Sequence, residues 1–587
     1  RVEVPFEYIA PAPEMIWKGT TKKGIEVPIG RAGATRKQLL VLGQGTAQHA
    51  LVAGKTGSGK STLLHALITN IAMIYSPDEA ELYLIDFKKG VEFKMYAANQ
   101  LPHARVIAIE SEREFGISVL QRLDGILRER GEKYRVVGAN DVSSYRDAKP
   151  DEHFPRLLLV VDEFQEFFVE DDKLAQEASL LLDRLVRQGR AFGVHVLLGS
   201  QTLGGAYSIP RATIDQMAVR IALQCSEADA QMILNKDNTA ARLLSRPGDA
   251  IYNDANGMLE GNDPFQVVWL SDDQREKILQ DLHARGASQH YPKPLVFEGS
   301  SVAELRHTRA LLELAQQASP SGPIATWLGD AIAIKEPTAA IFRAQSGSHL
   351  LLLGQQEEAA FGIEAAVLTA IVARLRPRNS EVRRILVLDG TPDDSPHADT
   401  LRNICGALDI ANSVVERSEL GTAMAELSTE YERRQKGETA DRSPCFLVVQ
   451  GLQRFRELRK ADDDFGFGKR GETAASPASQ FATLLREGPA FGIHFIIWCD
   501  SLTNLTRALD RQALREFHLR VLFQMSANDS SQLIDSPAAN KLDRHRALFI
   551  EDGQERPEKF RPYGLPDLEW LHQFVQQLPE PQSLTPA

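Results

Sequence analysis

Along the first part of the chain, short apolar runs alternate with longer stretches in which apolar positions recur every three or four residues. The runs are HALVAG (49–54), ELYLIDF (81–87), RVIAI (105–109), RLLLVVD (156–162), HVLLGSQ (195–201) and VRIALQC (219–225). Such nearly unbroken hydrophobicity fits strands covered on both faces. Between them, EFGISVLQRLDGILRERGEKYR (114–135) and AQEASLLLDRLVRQGRAF (175–192) carry helical periodicity. The alternation predicts an α/β domain with a largely parallel sheet.

The same pattern then recurs. HLLLLG (349–354), RRILVLDG (383–390), CFLVVQG (445–451), GIHFIIWCD (492–500) and LRVLFQM (519–525) match the first set at an offset near 300 residues. AFGVHVLLGS at 191 answers AFGIHFIIWC at 490, and RIALQCSEAD at 220 answers RVLFQMSAND at 520. Each copy follows a Trp and a short strand-like lead, IWKGTTKKGIEVPIG and TWLGDAIAIKEP. A period this long is the duplication of a whole domain, not a solenoid. The expected division is a first domain over 1–272, a linker with helical pieces over 273–321, and a second domain over 322–587. Within the second copy, KADDDFGFGKRGETAASPASQ (460–480) reads as a surface loop, and PEPQSLTPA (579–587) as a frayed tail.

Composition changes this picture little. Of 587 residues, 43% are hydrophobic and 25% charged, as in soluble globular proteins. The net charge of -12 gives no overall basic field for nucleic acid, so any DNA contact has to be local. Cys225, Cys405, Cys445 and Cys499 are widely spaced, which suggests buried thiols and neither a zinc site nor disulfides. No apolar run approaches the ~18 residues of a membrane span, and a cytoplasmic location is expected, with association through a region outside this chain left open.

Chemistry concentrates after the first run. HALVAG leads into GKTGSGKS, Gly54 to Ser61, and then into the helical TLLHALITNIAM. This is G-x-x-x-x-G-K-S in strand, loop, helix context. Gly54, Lys55, Thr56, Gly57, Ser58, Gly59, Lys60, Ser61 and Thr62 are the expected nucleotide-binding stretch. Gly57 and Gly59 let the backbone curl around phosphate, Lys60 reaches the β and γ phosphates, and Ser61 ligates Mg²⁺. About a hundred residues on, RLLLVVDEF ends a strand with Asp162 and Glu163. Asp162 suits the Mg²⁺ shell and Glu163 the general base that activates water. Gln201 closes the next strand as a γ-phosphate sensor or a backbone-bonded amide, and Arg187 and Arg190 precede it as arginine-finger candidates or solvated side chains.

GKTGSGKS, LIDFKKG, LPHARVI, RERGEKYRVVGANDVSSYR, LLLVVDEF, RQGRAFGVHVLLGSQT and RIALQCSEADAQMIL together resemble the motor domain of FtsK/SpoIIIE-type ATPases of the HerA-FtsK superfamily. The similarity runs from about Val27 to Leu270 and, in decayed form, from Trp327 to about Asp552. It implies two tandem RecA-like P-loop NTPase domains with mainly parallel central sheets, the second degenerate, hexameric rings, and Mg-ATP hydrolysis that moves a polymer. It makes Arg190 the trans-acting finger, with Arg187 in reserve. Two branches compete: one pumps double-stranded DNA, and the EccC-type ATPases of type VII secretion export proteins. LIDFKKG and the tandem layout look more like the secretion branch. Thr202 and Leu203, then Glu227, Asp229 and Gln231, depart from the residues that face DNA in the pumping branch. The family's prior favours double-stranded DNA, with a protein-export motor as the alternative and an ATP-gated scaffold as a third.

In the second copy the chemical residues are gone. Gly54 keeps a counterpart in Gly354, but Gly57 becomes Glu357, Gly59 becomes Ala359, Lys60 becomes Ala360 and Ser61 becomes Phe361. Asp162 is answered by Gln450, Glu163 by Gly451, Arg190 by Pro489, Gln201 by Asp500 and Arg187 by Arg486. The second domain is therefore expected neither to bind nor to hydrolyse ATP.

Overall fold

A computed structural model describes the chain apart from residues 1–2, 88–91, 203–210, 318–321, 377–383, 440, 460–475, 555 and 580–587. The tail, most of the 460–480 loop, and Leu203 thus lie outside the described residues. Ser476 to Gln480, read as the end of that loop, instead open a helix over Pro477–Glu487: the Ser476 hydroxyl accepts from the Ser479 N–H, and proline occupies the first turn, both helix-starting signals.

Two compact units divide the chain, Arg1–Ser301 and Val302–Ala587. The first carries β1 Ile25–Ala32, β2 Arg36–Leu42, β3 Ala50–Ala53, β4 Ala80–Asp86, β5 Ala104–Ile109, β6 Arg156–Asp162, β7 Val194–Ser200, β8 Val219–Leu223, β9 Asp249–Asn253, β10 Asp263–Trp269 and β11 Leu295–Glu298. They form one sheet in the order β11-β5-β4-β6-β7-β3-β8-β9-β10-β1-β2. From β11 to β8 neighbours are parallel, and from β8 to β2 they are antiparallel. The apolar runs all fall in the parallel part, where every residue of β3, β4, β6, β7 and β8 is buried. Sequence patterning marked that part because both faces are covered. It missed most of the antiparallel wing, whose β2 alternates exposed and buried positions.

Three helices matter below: α1 Lys60–Ile74, α2 Arg113–Val137 and α3 Lys173–Phe192. The segment read as a linker with helical pieces is divided between the two units. Its first part forms helix α4, Asp272–Ala287, with Leu279 and Leu282 buried, and β11, which adds to the sheet edge and stacks Phe297 on Phe115 with centroids 4.1 Å apart. Leu305 and Leu311 are buried in the second unit. The buried apolar positions of its first part thus lie in the first unit, and those of its second part in the second.

The second unit repeats the plan with β12 Ile324–Ala331, β13 Thr338–Phe342, β14 Leu350–Leu353, β15 Ile385–Asp389, β16 Val414–Val415, β17 Cys445–Gln450, β18 Ile493–Cys499, β19 Leu519–Leu522, β20 Ala547–Glu551 and β21 Glu558–Pro562. Their order is β13-β12-β21-β20-β19-β14-β18-β17-β15-β16. Helix α5, Glu357–Leu375, follows β14 as α1 follows β3. Even a buried histidine pair is duplicated. His49 accepts the Val196 N–H and His195 bonds the Gln48 carbonyl; His349 accepts the Phe495 N–H and His494 bonds the Ser348 carbonyl. Burial pushes these imidazoles down to about 4 and about 3 in the first unit, so they act as neutral staples between strands. All four cysteines are buried free thiols. No described helix is long and apolar enough to cross a membrane.

Candidate active site

β3 lies between β7 and β8, and the loop from Gly54 to Gly59 leaves its carboxyl end, where ligands bind in open α/β sheets. Both shoulders of the loop are pinned. The Gly54 N–H donates to the Ser200 carbonyl (3.2 Å) and the Lys55 N–H to the Gln224 carbonyl (2.9 Å). Gly57 and Gly59 hold φ of +77° and +103°, a region side-chain-bearing residues rarely occupy. A Cβ on Gly59 would also stand 3.0 Å from the Gly248 nitrogen. Past this turn the N–H groups of Lys60, Ser61 and Thr62 open a 15-residue helix and donate to no carbonyl of a described residue. Free amides at a positive helix end form a receptor for an anion.

The cradle's charge is countered from β6. Lys60 is only 4% exposed, and its ammonium donates to Asp162 Oδ1 and, at 3.1 Å, to Glu163 Oε1. Burial raises the Asp162 carboxyl above its usual range despite the pull of Lys60. Burial acts the same way on Glu163, but Lys60, the Gln165 amide and the Gln201 N–H together outweigh it and hold that carboxyl below its usual range. Glu163 is thus an ionised carboxylate with a fixed orientation: Gln165 Nε2 donates to its Oε2 at 2.6 Å and the Gln201 N–H at 3.2 Å. Its backbone is left-handed, with φ 55° and ψ 46°, which costs a non-glycine residue of order 1 kcal/mol or more.

Gln201 also meets the loop directly, since Thr56 Oγ1 donates to its Oε1 at 2.9 Å. Ser58 is buried behind the loop, while Lys55, Thr56 and Gly57 are exposed. Ser61 donates its hydroxyl to Glu92 Oε1 at 2.8 Å. The hydroxyl and carboxylate oxygens of Ser61 and Asp162 are the hard donors that suit Mg²⁺, and the amide cradle suits phosphate, so the residues present fit Mg-ATP. No separate cluster of three or more metal-ligating side chains occurs among the described residues.

Sequence reasoning missed four contributors. Gln165 orients Glu163. Gly199 makes room for Asp162, whose Oδ1 would lie 2.7 Å from a Cβ there. Glu92 and His65 stand behind Ser61; His65 is one helical turn past it, and Glu92 lies two residues past the end of LIDFKKG. Burial of His65 lowers its pKa, and the hydrogen bond from His65 is the main reason the Glu92 carboxyl is held down at about 2. Two expected positions read differently in three dimensions. Asp229, taken as a departure at a DNA-facing position, is buried and accepts from the Thr202 and Ser226 hydroxyls at 3.1 and 2.6 Å. Glu227 pairs with Arg242 at 2.7 Å.

Arg187 and Arg190 are both exposed near the end of α3. Arg187 is tied to Asp183 at 2.8 Å, whereas no side-chain hydrogen bond holds Arg190 among the described residues. β7 starts beside Arg190 and runs about 20 Å before reaching Ser200 and Gln201, so Arg190 stands at the opposite end of the sheet from the cradle of its own chain.

The second unit keeps the backbone and fills the cleft. The Gly354 N–H donates to the Cys499 carbonyl at 3.1 Å, as Gly54 does to Ser200. Phe361 is fully buried against His397, with rings 5.4 Å apart. Trp498 stands opposite Leu352 as Gly199 stands opposite Val52, and its indole N–H donates to the Gly354 carbonyl at 3.0 Å. Arg454 crosses the former metal side, donating to the Gly390 carbonyl at 2.8 Å and facing Glu357 at 3.7 Å. At saturation, titration calorimetry with a non-hydrolysable ATP analogue and Mg²⁺ is expected to give one nucleotide per chain. A stoichiometry of two would overturn this reading of the second cleft.

Residues 17–205 match the family model described as FtsK/SpoIIIE. Among curated proteins, the chain is 30% identical over 262 residues to the ESX secretion system protein EccC of Geobacillus thermodenitrificans (strain NG80-2), covering 42% of this chain and 17% of that protein. It is 27% identical over 308 residues to the DNA translocase FtsK of Lactococcus lactis subsp. lactis (strain IL1403), covering 49% of this chain and 38% of that one. The chain therefore matches well under half the length of these relatives. The solved cytoplasmic domain of the Thermomonospora curvata type VII secretion ATPase EccC superposes with a TM-score of 0.65 at 19% identity, over 98% of this chain and 70% of that one. T. curvata EccC (ATPases 2 and 3) in complex with a signal sequence peptide gives 0.57 at 18% identity, over 97% of this chain and 99% of that one. At such identities the likeness establishes the fold alone, two α/β domains in tandem, each with a mainly parallel sheet.

Proposed function

We propose that this chain, an ATPase carrying an FtsK/SpoIIIE-family domain over residues 17–205, is the working part of a ring-forming motor that moves polypeptide, fuelled at its first domain alone. The amides of the loop and Lys60 bind the phosphates, and Ser61 and Asp162 hold Mg²⁺. The ion supplies charge neutralisation on the phosphate oxygens. Glu163 accepts a proton from the water that attacks the γ-phosphorus, and the bond to the ADP oxygen breaks as the new P–O bond forms. Gln201 joins this centre to the loop through Thr56, so that phosphate release at one is felt at the other.

Arg190 completes the site of a neighbouring copy, a reading supported by its exposure and its distance from its own cradle. Arg190→Ala is expected to lower turnover about a hundredfold while leaving nucleotide affinity within about twofold, measured by steady-state hydrolysis and equilibrium titration; Arg187→Ala is expected to do far less. Equal losses for the two variants would remove Arg190 from this role.

The observation that supports the protein substrate is the tandem plan itself: two α/β domains in series that superpose over 99% of T. curvata EccC (ATPases 2 and 3), a protein solved with a signal sequence peptide. The negative net charge and the buried, hydrogen-bonded Asp229 agree with it. Double-stranded DNA is the second reading, favoured by the DNA translocase relatives. ATPase rate decides between them. Stimulation by an unfolded polypeptide or a signal-sequence peptide, with none by double-stranded DNA, is expected. Stimulation by DNA that fades with salt would favour the second reading. A rate indifferent to both, with an ATP-dependent change in particle mass, would favour the gated scaffold. A cytoplasmic location belongs to the same proposal.

A further inference from the structure

Ser61 is held from behind by a chain of hydrogen bonds that phosphate binding does not require. Its hydroxyl donates to Glu92 Oε1 at 2.8 Å, Glu92 Oε2 meets His65 Nε2 at 3.0 Å, and His65 Nδ1 meets the Tyr96 hydroxyl at 2.9 Å. A carboxylate only accepts, so Nε2 carries the imidazole proton and Nδ1 accepts from the buried tyrosine. The direction of the whole chain is thereby fixed. The Ser61 proton points to Glu92, and both oxygen lone pairs are left for a cation. Glu92 also brings a negative charge close to where phosphates would bind, an arrangement that opposes the bare nucleotide and favours the metal-bound one.

The second unit provides an internal control. Ser61 is answered by Phe361 and His65 by Ala365, both buried in α5, and the segment after β15 brings His397 to Phe361 where the segment after β4 brings Glu92 to Ser61. Strand, loop and helix persist there, so the fold does not need the hydrogen-bonded chain. Ser61, Glu92 and His65 are absent together from the copy whose cradle is filled.

From this juxtaposition we infer that Glu92, steadied by His65, is a positioning residue for the metal ligand Ser61 and sets how strongly nucleotide binding depends on Mg²⁺. The inference rests on the Mg-ATP reading of the site proposed above. It is tested on the full chain by the affinity of a fluorescent, non-hydrolysable ATP analogue, measured with Mg²⁺ and with a chelator in its place. In the wild type Mg²⁺ is expected to tighten binding. Glu92→Ala, which removes acceptor and charge, is expected to cut that gain about tenfold, as loss of an outer partner does at metal sites. Glu92→Gln keeps an acceptor and loses the charge, so it falls between, and His65→Ala shifts the gain in the same direction by less. Affinity in the chelator stays equal or improves in all three. Equal weakening with and without Mg²⁺ would reduce the network to a structural role and overturn the inference, as would a full Mg²⁺ gain in Glu92→Ala. A wild type that binds no better with Mg²⁺ would instead fail the parent reading, a result the variants cannot mimic.

Discussion

Glu163→Gln is expected to lower ATP turnover by about 10³–10⁴-fold, the upper part of what a positioned general base supplies, while nucleotide affinity stays within about threefold of the wild type. The substitution keeps the size of the side chain and its place at the end of β6, and removes the charge that Lys60, Gln165 and the Gln201 N–H converge upon. Those three partners make Glu163 rigid, so a water bound to it faces a fixed acceptor. Affinity survives because the contacts attributed to phosphate come from the loop amides and Lys60. Single-turnover phosphate release together with equilibrium titration separates the two effects. Turnover within tenfold of wild type would show that the proton goes elsewhere.

The second large effect belongs to Lys60→Ala, and it extends beyond chemistry. Lys60 is buried between Asp162 and Glu163, whose side chains are each 5% exposed. Removing the ammonium leaves two buried carboxylates without their counter-ion, a loss of about 3–5 kcal/mol by the measure of other broken buried pairs. Turnover is expected to vanish, and the first unit is expected to unfold earlier in urea. The pH dependence identifies the cause. Without Lys60, burial and the mutual repulsion of the two carboxylates are expected to lift both folded pKa values above their unfolded ones. Such groups favour the folded chain only when protonated, so the deficit of the variant is full at about pH 8 and shrinks as pH falls toward the ordinary carboxylate range near 4. In the wild type the depressed Glu163 contributes stability in the opposite sense, present at neutral pH and lost on acidification. A deficit that is constant between about pH 8 and pH 5 would mean that Lys60 stabilises by packing alone.

Much of this site was legible because its residues obey local rules. Glycines at the turn, a lysine and serine at the helix start and an acidic pair at a strand end are each tied to backbone positions that the strand and helix pattern locates. The duplication was legible for the same reason, since strands covered on both faces leave unbroken apolar runs in each copy. Contributors that act across the sheet were not. Gly199 reads as an ordinary strand glycine until β6 and β7 are paired and Asp162 falls beside it. Glu92 lies on the segment after β4, and nothing in its neighbours announces that it meets Ser61. Asp229 reads in sequence only as an acidic departure from the DNA-facing residues, because a helix start does not reveal that the Thr202 hydroxyl comes to donate to it. The antiparallel wing and the docking of α4 and β11 were obscured for a related reason: half-exposed strands and amphipathic connectors carry weak periodicity, and their partners are distant in the chain.

The left-handed turn at Glu163 has a counterpart in the second unit, where Gly451 holds φ 77° and ψ 58° at the corresponding strand end. There the same bend is occupied by the one residue that adopts it without strain. Selection for hydrolysis and selection for a durable fold therefore pull in opposite directions at this position. With Trp498 seated where Gly199 leaves space, and Phe361 buried where Ser61 stands, restoring one acidic residue would leave the cradle filled. Regaining hydrolysis in the second unit would therefore take changes at Ala360, Phe361, Gln450 and Gly451 together.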